Sequence, residues 1–108
     1  MISDKELQES QSRVDAASPG PWTSLIEGRD FTAGSSFIMI GEGENRKDDI
    51  EMLAGSDADQ DFMAAARQDI PKLLAEVLRL KKLVKEMYDR WSIIKAAFWM
   101  VIGILLKG

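Results

Sequence analysis

Histidine and cysteine are both missing from this chain of 108 residues, and with them go the commonest general base, the commonest metal ligand and the thiol nucleophile. No disulfide can staple the fold, and no Cys/His set can hold a structural zinc. The lack of thiols fits a reducing, cytoplasmic setting. The opening residues Met1-Ile2-Ser3-Asp4-Lys5-Glu6 lack the basic start and apolar core of a secretion signal, so export is not expected. Turnover would have to rest on carboxylates such as Asp30 or Asp69 as bases, and the expectation is a non-enzymatic protein with no cofactor and no metal. Long uncharged runs are scarce too. Ala96 to Leu106 gives 11 residues, or 14 from Ile93 if Lys95 snorkels, against the roughly 20 that a bilayer-spanning helix needs.

Charge is plentiful but unevenly placed. Residues 1–70 hold 6 basic and 15 acidic side chains, and residues 71–108 hold 8 basic and 3 acidic ones. An acidic first part repels phosphate backbones, which argues against nucleic acid as a partner. Arg79, Lys81, Lys82, Lys85 and Arg90 cluster just before the most apolar stretch. They are suited to anionic lipid, to the acidic part of a neighbouring subunit, or simply to water. Asp57-Ala58-Asp59-Gln60-Asp61 lacks the glycine and terminal glutamate of a calcium loop and sits where a helix start wants acids. Gly41-Glu42-Gly43 is followed by further acids, unlike a phosphate loop.

Local signals give an α+β fold. Ser3 with Glu6 forms a capping-box pattern opening an N-terminal helix to about Ala17, and Ser18-Pro19-Gly20-Pro21 stops it. Trp22 to Ile26, Ser36 to Ile40 and Asp49 to Leu53 read as three short strands of an antiparallel meander, parted by Glu27-Gly28-Arg29-Asp30 and Gly41-Glu42-Gly43-Glu44-Asn45. Ser56 or Asp57 caps a short Ala-rich helix through Phe62 and Arg67. Pro71 predicts a kink or break at Asp69-Ile70, after which a second helix runs to about Leu106, about 54 Å at 1.5 Å per residue. The domain reading is a small α+β head at 1–70 and a long amphipathic helix at 71–108.

That helix carries the most specific pattern in the chain. Ile70, Leu73, Val77, Leu80, Val84, Met87, Trp91, Ile94, Phe98, Val101 and Leu105 follow an alternating 3,4 spacing over five heptads, one stripe of a coiled-coil helix. A stripe of this length predicts a homo-oligomer or a lipid contact. β-Branched residues at a and leucine-like residues at d favour a parallel pair, but the charges are ambiguous. Glu76 would attract Lys81 of a partner copy, whereas Arg90 would repel Lys95. After Trp91 the apolar surface widens through Ile93, Ala96, Ala97, Met100, Ile102, Ile104 and Leu106. With Trp91, Trp99, Lys95 and Lys107 as anchors, residues 91–107 suit either a larger bundle or a membrane interface.

One polar constellation suggests a ligand. Arg29 and Asp30, Ser35 and Ser36, and Arg67 and Gln68 each lie beside a glycine or proline. Were the meander to fold onto the Arg67 helix, they would converge on a small anionic or nucleotide-like ligand, with an arginine on phosphate, serine hydroxyls donating, and Trp22 or Phe31 stacking a base. The alternative is that Arg29 with Asp30, and Arg67 with Asp69, merely tie turns together.

Ser18-Pro19-Gly20-Pro21-Trp22, Gly28-Arg29-Asp30, Gly34-Ser35-Ser36-Phe37-Ile38-Met39 and the stretch from Ala58 through Asp69-Ile70-Pro71 to Val77 resemble a family of short phage and prophage proteins. The resemblance covers about Ser12 to Leu80 and leaves out the apolar tail. It implies a small non-enzymatic protein acting in the cytoplasm of a bacterial host, such as an oligomeric sponge that sequesters a nucleotide immune signal. The competing expectation is a coiled-coil adaptor or a structural protein anchored at a membrane interface.

Overall fold

The computed structural model describes residues 1–107 and has the α+β arrangement expected of the sequence. Helix α1 spans Asp4–Ala16, strand β1 Trp22–Leu25, strand β2 Phe37–Ile40, strand β3 Ile50–Glu51 and helix α2 Asp57–Lys107, with one 3₁₀ turn at Gly43–Asn45. Two compact units result, Met1–Leu74 and a second that begins at Ala75.

Helix α1 starts as its capping box dictates. The Glu6 amide donates to Ser3 Oγ at 3.1 Å and the Ser3 amide to Glu6 Oε2 at 2.7 Å. It ends at Ala16, where the chain turns extended ahead of two prolines. The Trp22 indole then donates to the Ser18 carbonyl at 3.1 Å, fastening the turn to the first strand.

The sheet is antiparallel in the order β1-β2-β3, with Trp22 opposite Ile40, Leu25 opposite Phe37, and Phe37 opposite Glu51. In β2 alternate residues are buried, so Ile38 and Ile40 share one face, where they pack with Ala64 of α2; Trp22 and Met52 close the cluster. Strand β3 is only two residues long, shorter than Asp49 to Leu53. Asp49 is drawn instead into an ion pair with Arg46 at 2.5 Å. Gly41 sits at φ +73°, and a Cβ there would run into the Asn45 carbonyl, so the β2–β3 turn requires glycine.

Helix α2 is capped by Ser56, not Asp57. The Asp59 amide donates to Ser56 Oγ at 3.1 Å and the Ser56 amide to Asp59 Oδ2 at 3.2 Å, a second reciprocal box. The expected break at Asp69-Ile70 does not interrupt the helix: the Ala-rich segment and the long C-terminal segment are one element of 51 residues with Pro71 inside. Proline removes a single N–H and crowds the carbonyl four residues back, at a cost of about 3 kcal/mol. Turns of strong helix formers on both sides, Ala64 to Ala66 and Leu73 to Glu76, keep the remaining bonds.

Candidate functional site

The residues expected to gather at one ligand site are distributed over three places in the Met1–Leu74 unit. The first is the β1–β2 loop. The Ile26 amide donates to Asp30 Oδ2 at 2.9 Å, and the Ile26 carbonyl accepts from the Arg29 and Asp30 amides at 3.1 and 2.8 Å. This turn aims Arg29 at α2. Its Nη1 and Nη2 donate to the two oxygens of Asp61 at 2.7 and 3.0 Å, while Nε and Nη2 also reach Asp30 Oδ2 at 3.1 and 2.9 Å.

One guanidinium therefore serves two carboxylates. Arg29 holds the Asp61 carboxyl down at about 2, helped by the dipole of the buried Ser24 hydroxyl, which meets no partner in hydrogen-bonding geometry. Asp30 is lowered by Arg29 first and then by the Ile26 amide, and the two carboxylates push Arg29 further up. Asp61 thus supplies what Arg29 was expected to seek in a ligand.

Ser36 Oγ accepts from the Glu27 amide at 3.1 Å, which ties the loop's two ends. Ser35 lines a shallow depression with Phe37, Asp49 and Glu51, two of them acidic and unsuited to an anion.

The second place is the outer edge of β1. Gln68 Oε1 accepts from the Trp22 amide at 3.0 Å and its Nε2 donates to the Trp22 carbonyl at 3.2 Å. Eight residues earlier on α2, the buried Gln60 donates from Nε2 to the carbonyls of Leu25 at 3.1 Å and Phe37 at 2.9 Å. Gln60, Ala64 and Gln68 recur at i, i+4, i+8 and form the helix face toward the sheet. Gln60 was not singled out as a site residue in the sequence, where its only signal was that spacing, and Asp61 was weighed only as part of the acidic helix start.

The third place is a groove of about 350 Å³ between the end of α1, Trp22 and the second to fourth turns of α2. Val14, Ala17, Trp22, Met63, Ala66, Ile70 and Pro71 give it apolar walls, and Ser10, Arg13 and Arg67 supply its polar groups. Arg67 Nη1 donates to the Val14 carbonyl at 2.9 Å, satisfying one of the carbonyls that α1 leaves open at its C-terminus. Of the seven residues singled out for a ligand, the groove brings together Trp22 and Arg67, and Arg29, Asp30, Ser35, Ser36 and Gln68 do not line it.

No family model matches this chain, and no curated protein or solved structure resembles it significantly.

The stripe of α2 is a separate matter. Ten of its eleven residues are exposed, from 44% at Ile70 and Leu80 to 70% at Leu105, and Val77 is half-buried. Beyond the stripe, Ile93, Trp99, Met100, Ile104 and Leu106 are exposed at 61–82%. Glu76, expected to face Lys81 of another copy, pairs within its own helix with Arg79, at 2.6 and 3.0 Å; that pair lowers Glu76 and raises Arg79. Among the described residues no helix is long and apolar enough to cross a membrane.

Proposed function

We propose that the protein is a non-catalytic structural or adaptor protein. It self-associates through the Ile70–Leu105 stripe and presents the α+β head. The exposure of ten of the eleven stripe residues carries this reading. A large apolar side chain contributes about 1.5–3 kcal/mol on full burial, so covering even half of such a stripe offsets the roughly 4–15 kcal/mol cost of association. With Val77 and Val84 at a and Leu80 and Met87 at d of a parallel pair, the seam is flanked by Glu76 and Leu83 on one side and by Lys81 and Tyr88 on the other. On the resemblance of its turn and helix to short phage proteins, its setting is the cytoplasm of a bacterial host.

Because the chain has no cysteine, single introduced thiols test the register cleanly. Val84→Cys, on the seam, is expected to form an interchain disulfide under mild oxidation, whereas Lys82→Cys, on the outer face, is not. Equal crosslinking at both positions, or at neither, would contradict the proposal.

A second reading, attachment of the tail to a membrane interface, is favoured by the exposed apolar residues outside the stripe after Trp91. Liposome flotation separates the two. Recovery with anionic vesicles that is lost on Ile93→Lys with Ile104→Lys supports attachment, and a protein that sediments alone contradicts it.

A further inference from the structure

We infer that the α1–α2 groove is a binding site for a small amphiphilic anion, an apolar body carrying one carboxylate or phosphate. This goes beyond self-association and shares with it only Ile70, the first residue of the stripe. Residues 1–70 contain 15 carboxylates and only 6 basic side chains, yet the groove is lined by two arginines and no acid.

Neither arginine is ion-paired among the described residues: Arg13 donates only to Ser10 Oγ at 3.3 Å, and Arg67 only to the Val14 carbonyl. In the same unit Arg29 and Arg46 both hold carboxylates. A guanidinium offers five N–H donors, so the half-buried Arg67 keeps most of its capacity unspent beside an apolar wall. An anion between Arg13 and Arg67 would satisfy both.

The walls set the rest of the ligand. Val14, Ala17, Trp22, Met63, Ala66 and Ile70 offer apolar and aromatic contact, which suits a featureless hydrocarbon or aromatic body. A volume of about 350 Å³ is at the small end for ligand sites, which limits that body to a short chain or one to two rings. Ser10 adds a hydroxyl at the same rim.

The test uses the full chain labelled with ¹⁵N at its three indoles. Trp22 reports the groove, and Trp91 and Trp99 report nonspecific contact with the exposed face of α2. Octanoate, octyl phosphate and the neutral 1-octanol are titrated below micelle formation. At least one anion is expected to move the Trp22 signal with an affinity about tenfold above that of octanol; the tighter of the two identifies the headgroup. Arg13→Gln, which leaves the α1 cap in place, is expected to weaken that binding about fivefold, and Arg67→Lys, which keeps the charge but not the fork, to weaken it less than Arg67→Gln. Movement of Trp91 and Trp99 without Trp22, equal binding of octanol and the anions, or affinity untouched by Arg13→Gln would each overturn the inference.

Discussion

Gln68 pairs with Trp22 as a neighbouring strand would, its side-chain amide accepting the Trp22 N–H at 3.0 Å and donating to the Trp22 carbonyl at 3.2 Å. Strand β1 is an edge strand, and this contact covers its open side with a helix. Gln68→Ala leaves both backbone groups without a protein partner and is expected to cost about 1–3 kcal/mol in urea unfolding. Gln68→Glu keeps an acceptor but sets a carboxylate against the Trp22 carbonyl, so it should also destabilise. A Glu variant as stable as the parent would contradict the pairing.

The Arg29 fork predicts an acid-sensitive contribution. Asp61 sits at about 2 and Asp30 is lowered as well, against an ordinary value of 3.8 for both. A carboxylate depressed on folding stabilises the fold fully above its unfolded value, and that stabilisation is lost as pH falls through the folded value. The loss therefore falls between about pH 4 and pH 2. Melting temperature should drop more steeply across that window in the parent than in Arg29→Ala, and parallel curves would refute the linkage.

Gly41 and Gly28 both have positive φ, +73° and +86°, but only Gly41 has backbone in the way of a side chain. Gly28→Ala is expected to cost about 1–2 kcal/mol for the left-handed backbone alone. Gly41→Ala adds a collision with the Asn45 carbonyl and should cost at least twice as much in the same unfolding assay. Equal costs would mean the β2–β3 turn relaxes freely.

Pro71 sits inside α2 without an N–H to give to the Arg67 carbonyl. Pro71→Ala restores that bond at the expense of one wall of the groove. The net expectation is a stabilisation of about 1–3 kcal/mol, read from thermal unfolding followed by circular dichroism. Destabilisation would show that ring packing outweighs the missing bond.

Much of this fold could be read from short-range pattern. Ser3 with Glu6, the Pro19 and Pro21 stop and the alternation around Ile38 and Ile40 act within a few residues, and each appears where the sequence puts it; the heptad spacing marks a stretch that is helical throughout. Pro71 does not break the helix as one of its two expected outcomes had it, because the turns on either side of the one missing hydrogen bond hold a helix of 51 residues together. The site was less legible, for a related reason. Arg29 meets Asp61 across 32 positions, Gln68 meets Trp22 across 46, and Arg67 meets Val14 across 53. Those partners are chosen by how α1 and the sheet pack on α2. The arginines were recognisable as candidates for an anion, but which one had already been claimed by an aspartate was not.

Whether further copies of the chain cover the exposed stripe of α2, as proposed, is tested most directly by mass in solution. Sedimentation equilibrium of the full chain, without lipid or detergent, should give a discrete multiple of the chain mass that falls when Leu80→Lys and Val84→Lys are combined. A single well-behaved species at the mass of one chain, unchanged by those substitutions, would contradict it.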